Sequence, residues 1–125
     1  MILDTDALSA FLLENRALLR ALPAHTVMRL PAIVLGEYRF GVRRSRDREK
    51  LGRLLDGLEQ VAEILPVDLS TVPHYAIIRE QLRQDGRVLP HNDTWIAAIA
   101  LQHELPIISR DAHFDQVRKV RRISW

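Results

Sequence analysis

The chain opens with three apolar residues, Met1, Ile2 and Leu3, that run straight into Asp4, Thr5 and Asp6. A short apolar run halted by Asp, Thr and Asp reads as a buried parallel strand giving way to a helix. That helix spans roughly residues 6–14, with Leu8, Phe11 and Leu12 on one face. A shorter apolar-periodic segment over 15–22 is closed by Pro23, and 26–30 reads as a second strand ended by Pro31. Pro31 also suits the first position of the next helix, where its missing N–H costs nothing. This helix, 31–43, carries Ile33, Val34, Leu35, Tyr38, Phe40 and Val42 nearly all round, so it is expected to be buried. Gly36 in its interior costs roughly 1 kcal/mol against alanine, a loss that close approach of another backbone would justify.

A charged connection over 43–50 leads into a helix over 47–60 with Leu51, Leu54, Leu55 and Leu58 at helical spacing. It is either a solvated face over a core stripe or an arm that meets a partner. Residues 63–67 form a short third strand, and Ser70 or Thr71 then caps a helix running to about Asp85, with Gly86 as its stop. Asn92 or Asp93 caps a further helix whose small apolar body, Ala97 to Ala100, packs tightly on the sheet. Residues 105–109 make the fourth strand, with Arg110 and Asp111 at its carboxyl end. Residues 117–125 read as a final edge strand, where Arg118, Lys119, Arg121 and Arg122 blunt edge-to-edge pairing as readily as they bind RNA, with blunting preferred. Strands alternating with helices imply a parallel α/β sheet, and 125 residues make one domain, 1–125, with a real core.

Composition narrows the class. Hydrophobic residues at 47% and charged residues at 27% fit a soluble globular protein. The chain has no cysteine, which removes disulfides and thiolate zinc sites and is compatible with a reducing, cytoplasmic setting. No basic segment precedes an apolar one as in a secretory signal. The longest apolar run, 95–101, is far too short to span a bilayer, so no membrane association is expected.

Candidate chemistry lies in the acids. In open α/β sheets ligands gather at the carboxyl ends of the strands, where Asp4 and Asp111 fall. Glu37 stands among apolar neighbours, and a buried carboxylate must be paired, protonated or metal-bound; Asp93 lies in the first turn of its helix. Taken singly, Asp4 or Thr5 is simply a helix cap, and Glu37 pairs with a nearby arginine at the surface. Taken together, the four acids reconstruct into one pocket. Two carboxylates about 4 Å apart repel by about 4 kcal/mol at an effective dielectric near 20, and no nearby sequence supplies enough positive charge to offset four. A hard divalent cation, Mg²⁺ or Mn²⁺, would, and phosphodiester hydrolysis by a metal-activated water follows. His91 and His113 lack the spacing of a metal pair and read as loop or cap residues. No glycine-rich phosphate loop is present. Sixteen of the 18 basic residues are arginine; with four acids in the pocket, the remainder carries 18 bases against 12 acids, a net +6 that suits an anionic partner such as nucleic acid.

The blocks Met1 to Asp6, Leu35-Gly36-Glu37-Tyr38-Arg39-Phe40-Gly41, Asn92-Asp93 with Trp95 to Ala98, and Ile108 to Asp111 with His113-Phe114 resemble those of PIN-domain ribonucleases. The chain is similar in particular to VapC-type toxins of bacterial toxin–antitoxin pairs, over essentially its whole length. The resemblance implies a three-layer PIN-like fold, with a central parallel sheet of about five strands flanked by helices. It also implies Mg²⁺- or Mn²⁺-dependent endoribonuclease activity on RNA, a homodimer, and a cognate VapB-type antitoxin forming a hetero-oligomer over the pocket. By the same resemblance Asp4, Glu37, Asp93 and Asp111 are the catalytic, metal-binding quartet. Thr5 and Ser109 match hydroxyl positions that orient carboxylates or water. Asp6 stands where the family often has Asn or Ser and would add an outer carboxylate; Asp115 competes with Asp111 for the fourth place.

Two other functions share this architecture. A phosphoacceptor receiver domain also places acids after its first strand, but it needs a lysine after the last strand, and Lys50 and Lys119 follow no fitting one. A non-catalytic RNA- or protein-binding module would have no reason to keep all four acids.

Overall fold

The computed structural model describes residues 1–125 throughout. Five short strands form one sheet: β1 (Ile2–Leu3), β2 (Arg29–Pro31), β3 (Glu63–Leu65), β4 (Ile107–Ile108) and β5 (Arg122–Ile123), in the order β3-β2-β1-β4-β5. Every pairing is parallel, with Ile2 opposite Arg29 on one side and Ile107 on the other. Six helices connect and cover the strands: α1 (Thr5–Leu12), α2 (Arg16–Ala21), α3 (Ala32–Arg43), α4 (Arg48–Glu59), α5 (Thr71–Gln84) and α6 (His91–Gln102). The chain steps outward from β1 through β2 to β3, then returns to the other side of β1. Because parallel crossovers are right-handed, the reversal puts α5 and α6 on the face opposite α1 to α4. It also creates a switch point between β1 and β4, where such sheets bind ligands.

The core is one cluster in which Ile2, Leu3, Ile107 and Ile108 from the central strands are fully buried beneath Leu8, Leu18, Val34 and the Ile96 to Ala100 face of α6. Strands buried on both faces need apolar residues at consecutive positions, and β1 and β4 have them. Every fully buried side-chain nitrogen or oxygen has a hydrogen-bond partner. Gln81 is an example: its amide donates to Asp85 and to the Gln116 carbonyl, while its oxygen accepts from the Arg118 backbone, tying α5 to the final segment.

Several expectations need correction. The 31–43 helix is not buried all round. Only Val34 and Tyr38 are buried, and Phe40 is 64% exposed. Nothing approaches Gly36 within 4 Å of where a Cβ would stand; it lies in open space instead of under another backbone. Pro31 ends β2 and holds the cap position in an extended conformation, so α3 starts one residue later. Pro90 does the same for α6, which leaves Asn92 and Asp93 inside the first turn and not at the cap. Ser70 makes no capping bond; Asp68 Oδ1 accepts from the Ser70 and Thr71 amides in its place. Gly86 stops α5 at a φ of +63°, a left-handed conformation that glycine enters without steric cost. The strands themselves pair over only two or three residues.

Candidate active site

At the β1–β4 switch point the surface opens into a basin of about 1060 Å³. Asp4, Thr5, Asp6, Glu37, Asn92, Asp93 and Asp111 line it, with Ile33, Gly36, Phe40 and Phe114 among its apolar walls; no arginine or lysine does. The four acids come from four elements: the end of β1, the middle of α3, the first turn of α6, and the turn after β4. Gly36, exposed on α3 beside Glu37, leaves the wall free of a side chain there.

Each acid is held differently. Asp4, 6% exposed, caps α1 by accepting the Ala7 amide on Oδ1 at 2.7 Å. Burial pushes its carboxyl above the ordinary aspartate value, the Ser109 hydroxyl and Ala7 amide oppose this, and Asp6 and Asp111 add to it. Glu37 is held at both oxygens and by no arginine. Thr5 Oγ1 donates to Oε2 at 2.8 Å and Asn92 Nδ2 donates to Oε1 at 2.7 Å. Asp111 accepts from the His113 amide at 2.8 Å and lies 2.7 Å from His113 Nδ1, while its own amide donates to the buried Ser109 Oγ at 2.9 Å. It thereby caps a 3₁₀ turn, Ala112–Gln116.

Asp93 takes no hydrogen bond from any protein donor, and its carboxyl is pushed up to about 6. Burial is the largest cause, followed by the negative charges of Asp111, Glu37 and Asp4, with His113 opposing. Four carboxylates therefore share one field, and the basin wall holds no fixed cation to balance them. Asp6 sits exposed on the rim. Asp115 is elsewhere: Arg122 grips it through Nε and Nη2 at 2.8 and 2.7 Å and holds it below the usual carboxylate range, so Asp111 is the acid on the wall.

The donor set suits a hard divalent cation, since it is all oxygen and carries excess negative charge. No three acids close on a common point as they stand. Mg²⁺ is commonly held by one or two carboxylates and several waters, so an open basin is compatible with it. Two contributors lie outside the expected set. Asn92 braces Glu37 across 55 residues of chain, and His113, expected as a loop or cap residue, contacts Asp111. A partnership of that span leaves no periodic trace, whereas the two-residue spacing of Asp111 and His113 was visible.

The family model for the PIN domain matches residues 1–120. Ribonuclease VapC5 of Mycobacterium tuberculosis is 38% identical over 84 residues, covering 66% of this chain and 62% of that protein, so the match takes in less than two thirds of the relative. VapC ribonuclease Y4jK of Sinorhizobium fredii is 31% identical over 89% of this chain and 86% of its own length. The crystal structure of VapBC-5, a member of the VapBC family of toxin–antitoxin systems from Mycobacterium tuberculosis, superposes with a TM-score of 0.78. It has 30% sequence identity and covers 99% of this chain and 97% of the matched one.

Proposed function

The chain belongs to the PIN domain family, and from that premise we propose that it is a divalent-metal-dependent endoribonuclease, the toxin of a VapBC-type toxin–antitoxin pair. Residues 1–125 act as one PIN domain. The observation that carries the reading is the meeting of Asp4, Glu37, Asp93 and Asp111 on one basin whose wall has no positive side chain. RNA phosphodiester hydrolysis needs charge of the opposite sign at that place, and a bound divalent ion supplies it. Similarity to proteins named VapC ribonucleases favours RNA as the substrate, and similarity to a VapBC structure favours a VapB-type antitoxin as partner. A homodimer within a toxin–antitoxin hetero-oligomer is proposed on the same ground. No helix is long and apolar enough to cross a membrane, in keeping with a protein that works in the cytoplasm on RNA.

Mg²⁺ or Mn²⁺ is the proposed cofactor, held by Asp4, Glu37, Asp93 and Asp111. It would supply Lewis acidity, offsetting charge on the phosphate and making water a stronger nucleophile at neutral pH. The chain's own residues set the geometry. Asp4 keeps one oxygen on the Ala7 amide at the head of α1, and the Ser109 hydroxyl also stabilises its carboxylate. Thr5 and Asn92 fix the plane of the Glu37 carboxylate. Asp93 has no internal donor, so its oxygens are open to an ion, and neutralisation of its neighbours is what allows it to ionise fully. Ser109 orders the Asp111 turn, and Asp6 adds negative charge at the rim. Asp115, committed to Arg122, stays outside the reacting centre.

The purified protein is expected to cut RNA in Mg²⁺ or Mn²⁺, leaving a 5′-phosphate and a 3′-hydroxyl, with no cutting in EDTA and recovery when Mg²⁺ is restored. Undiminished cleavage in EDTA would overturn the metal-dependent mechanism.

A further inference from the structure

Ile33, Gly36, Glu37 and Phe40 line the basin from α3. Their spacing marks one stripe of that helix, and the next position along it, four residues past Phe40, is Arg44. At 1.5 Å per residue, Glu37 and Arg44 stand about 10 Å apart along the axis. Phe40 is 64% exposed, and the Arg44 guanidinium carbon lies 5.9 Å from the centre of its ring. Arg44 makes no ion pair, nor do Arg43, Arg46 and Arg48 just beyond it. Arg39, by contrast, on the side facing α4, is held by both Asp56 and Glu59. Four arginines that make no ion pair thus begin where the acidic basin ends, in excess over the neighbouring Asp47 and Glu49, with an exposed aromatic ring between the two.

We infer that Phe40 and Arg44 form the landing by which unpaired RNA enters the basin, the ring stacking on a nucleobase beside the scissile phosphate and the guanidinium taking the adjoining phosphate. The inference rests on the ribonuclease reading above and adds the residues that receive the strand. An aromatic ring stacks only on a base freed from its helix, so the substrate is single-stranded where it is cut. Stacking platforms next to basic side chains are the general solution for binding single strands, and the guanidinium forks onto phosphate oxygens. A second copy of the chain, or another apolar partner, would cover Phe40 but leave the arginines beside it without counter-charge. RNA satisfies both.

The test uses the full chain with Asp93→Asn, which binds without cutting, and a short labelled oligoribonucleotide followed by fluorescence anisotropy in Mg²⁺ at several salt concentrations. Phe40→Ala is expected to weaken binding roughly fivefold to tenfold with the salt slope unchanged, and Phe40→Trp to restore it. Arg44→Ala is expected to lower the slope of log K against log salt by about 0.7, the loss of one single-strand phosphate contact. Ile77→Ala, likewise 64% exposed but on α5 across the sheet from α3, serves as the unaffected control. A duplex of the same sequence should bind more weakly and be indifferent to Phe40→Ala. If the parental protein cuts and binds RNA while Phe40→Ala and Arg44→Ala bind as it does, the landing is wrong and the ribonuclease reading stands. If Phe40→Ala changes only the oligomeric state seen by light scattering, the ring belongs to a protein interface and the landing is again wrong. If the parental protein neither binds nor cuts RNA, both fail.

Discussion

Removing the charge of Asp93 should make the metal-free protein more stable, an unusual outcome for an acid at an active centre. Its carboxyl is raised to about 6 in the fold against 3.8 for the free side chain. Between about pH 4 and pH 6 the folded state therefore holds a proton that the unfolded state releases, and stability falls as pH rises through that window. Below it the penalty is absent; above it the penalty is complete. A shift of about two units is a ceiling of about 3 kcal/mol, and solvent screening of a half-buried group cuts this to roughly 1–2 kcal/mol. A negative charge in the first turn of α6 gains roughly 0.3–1 kcal/mol from the helix dipole, which the asparagine forgoes, but the raised carboxyl shows that burial and like charge win. In EDTA at pH 7.5, Asp93→Asn should melt about 5 °C above the parent, with the gap closing toward pH 4.5. Mg²⁺ should then stabilise the parent more than the variant, because only the parent keeps the full ligand set. A variant that melts lower at every pH would refute the argument and make Asp93 chiefly a structural residue of the α6 first turn.

Two further outcomes separate positioning from chemistry. Thr5→Val removes the donor to Glu37 Oε2; it should lower kcat/KM by roughly tenfold while costing about 1 kcal/mol of stability, and equal activity of variant and parent would mean Asn92 alone fixes Glu37. Asp111→Asn should abolish cleavage, whereas Asp115→Asn, which only frees Arg122, should retain it and lose no more than about 1 kcal/mol in a denaturant melt; the reverse result would exchange the two acids.

The start of the chain was legible because it is local. Three apolar residues followed by Asp, Thr and Asp read as a buried strand turning into a capped helix, and β1 and α1 follow that reading to within two residues. The small-residue body of α6 and the glycine stop of α5 were equally plain. The exposure of Phe40 was not, because apolar periodicity reports what a helix could bury and says nothing of whether a neighbour is there to bury it. Strand lengths failed for a related reason: the apolar run continues past the point where the parallel ladder has a partner strand to pair with. The caps at Pro31 and Pro90 were misplaced because a proline φ suits helix and extended backbone alike, and only ψ, 138° and 150° here, leaves each residue outside its helix.

The site divides along the same line. Asp4 and Asp111 could be placed from sequence since each directly follows a strand, and sheet architecture alone sends them to one edge. The bracing of Glu37 by Thr5 and Asn92 spans 32 and 55 residues, and only the packing of α3 against α1 and α6 brings those groups together. Cap and basin residue are not exclusive readings of Asp4, for it caps α1 through Oδ1 and also lines the basin. Its replacement would remove a cap worth about 1 kcal/mol along with the proposed metal contact, so loss of activity there would not tell the two roles apart. Asp111, cap of the 3₁₀ turn, has the same ambiguity, and Glu37 is tied to two elements. Asp93 is tied to none: it takes no internal hydrogen bond, its charge is opposed by its neighbours, and a cation from outside would relieve that repulsion. Among the four it is the residue whose conservative replacement reports on chemistry without the fold intervening.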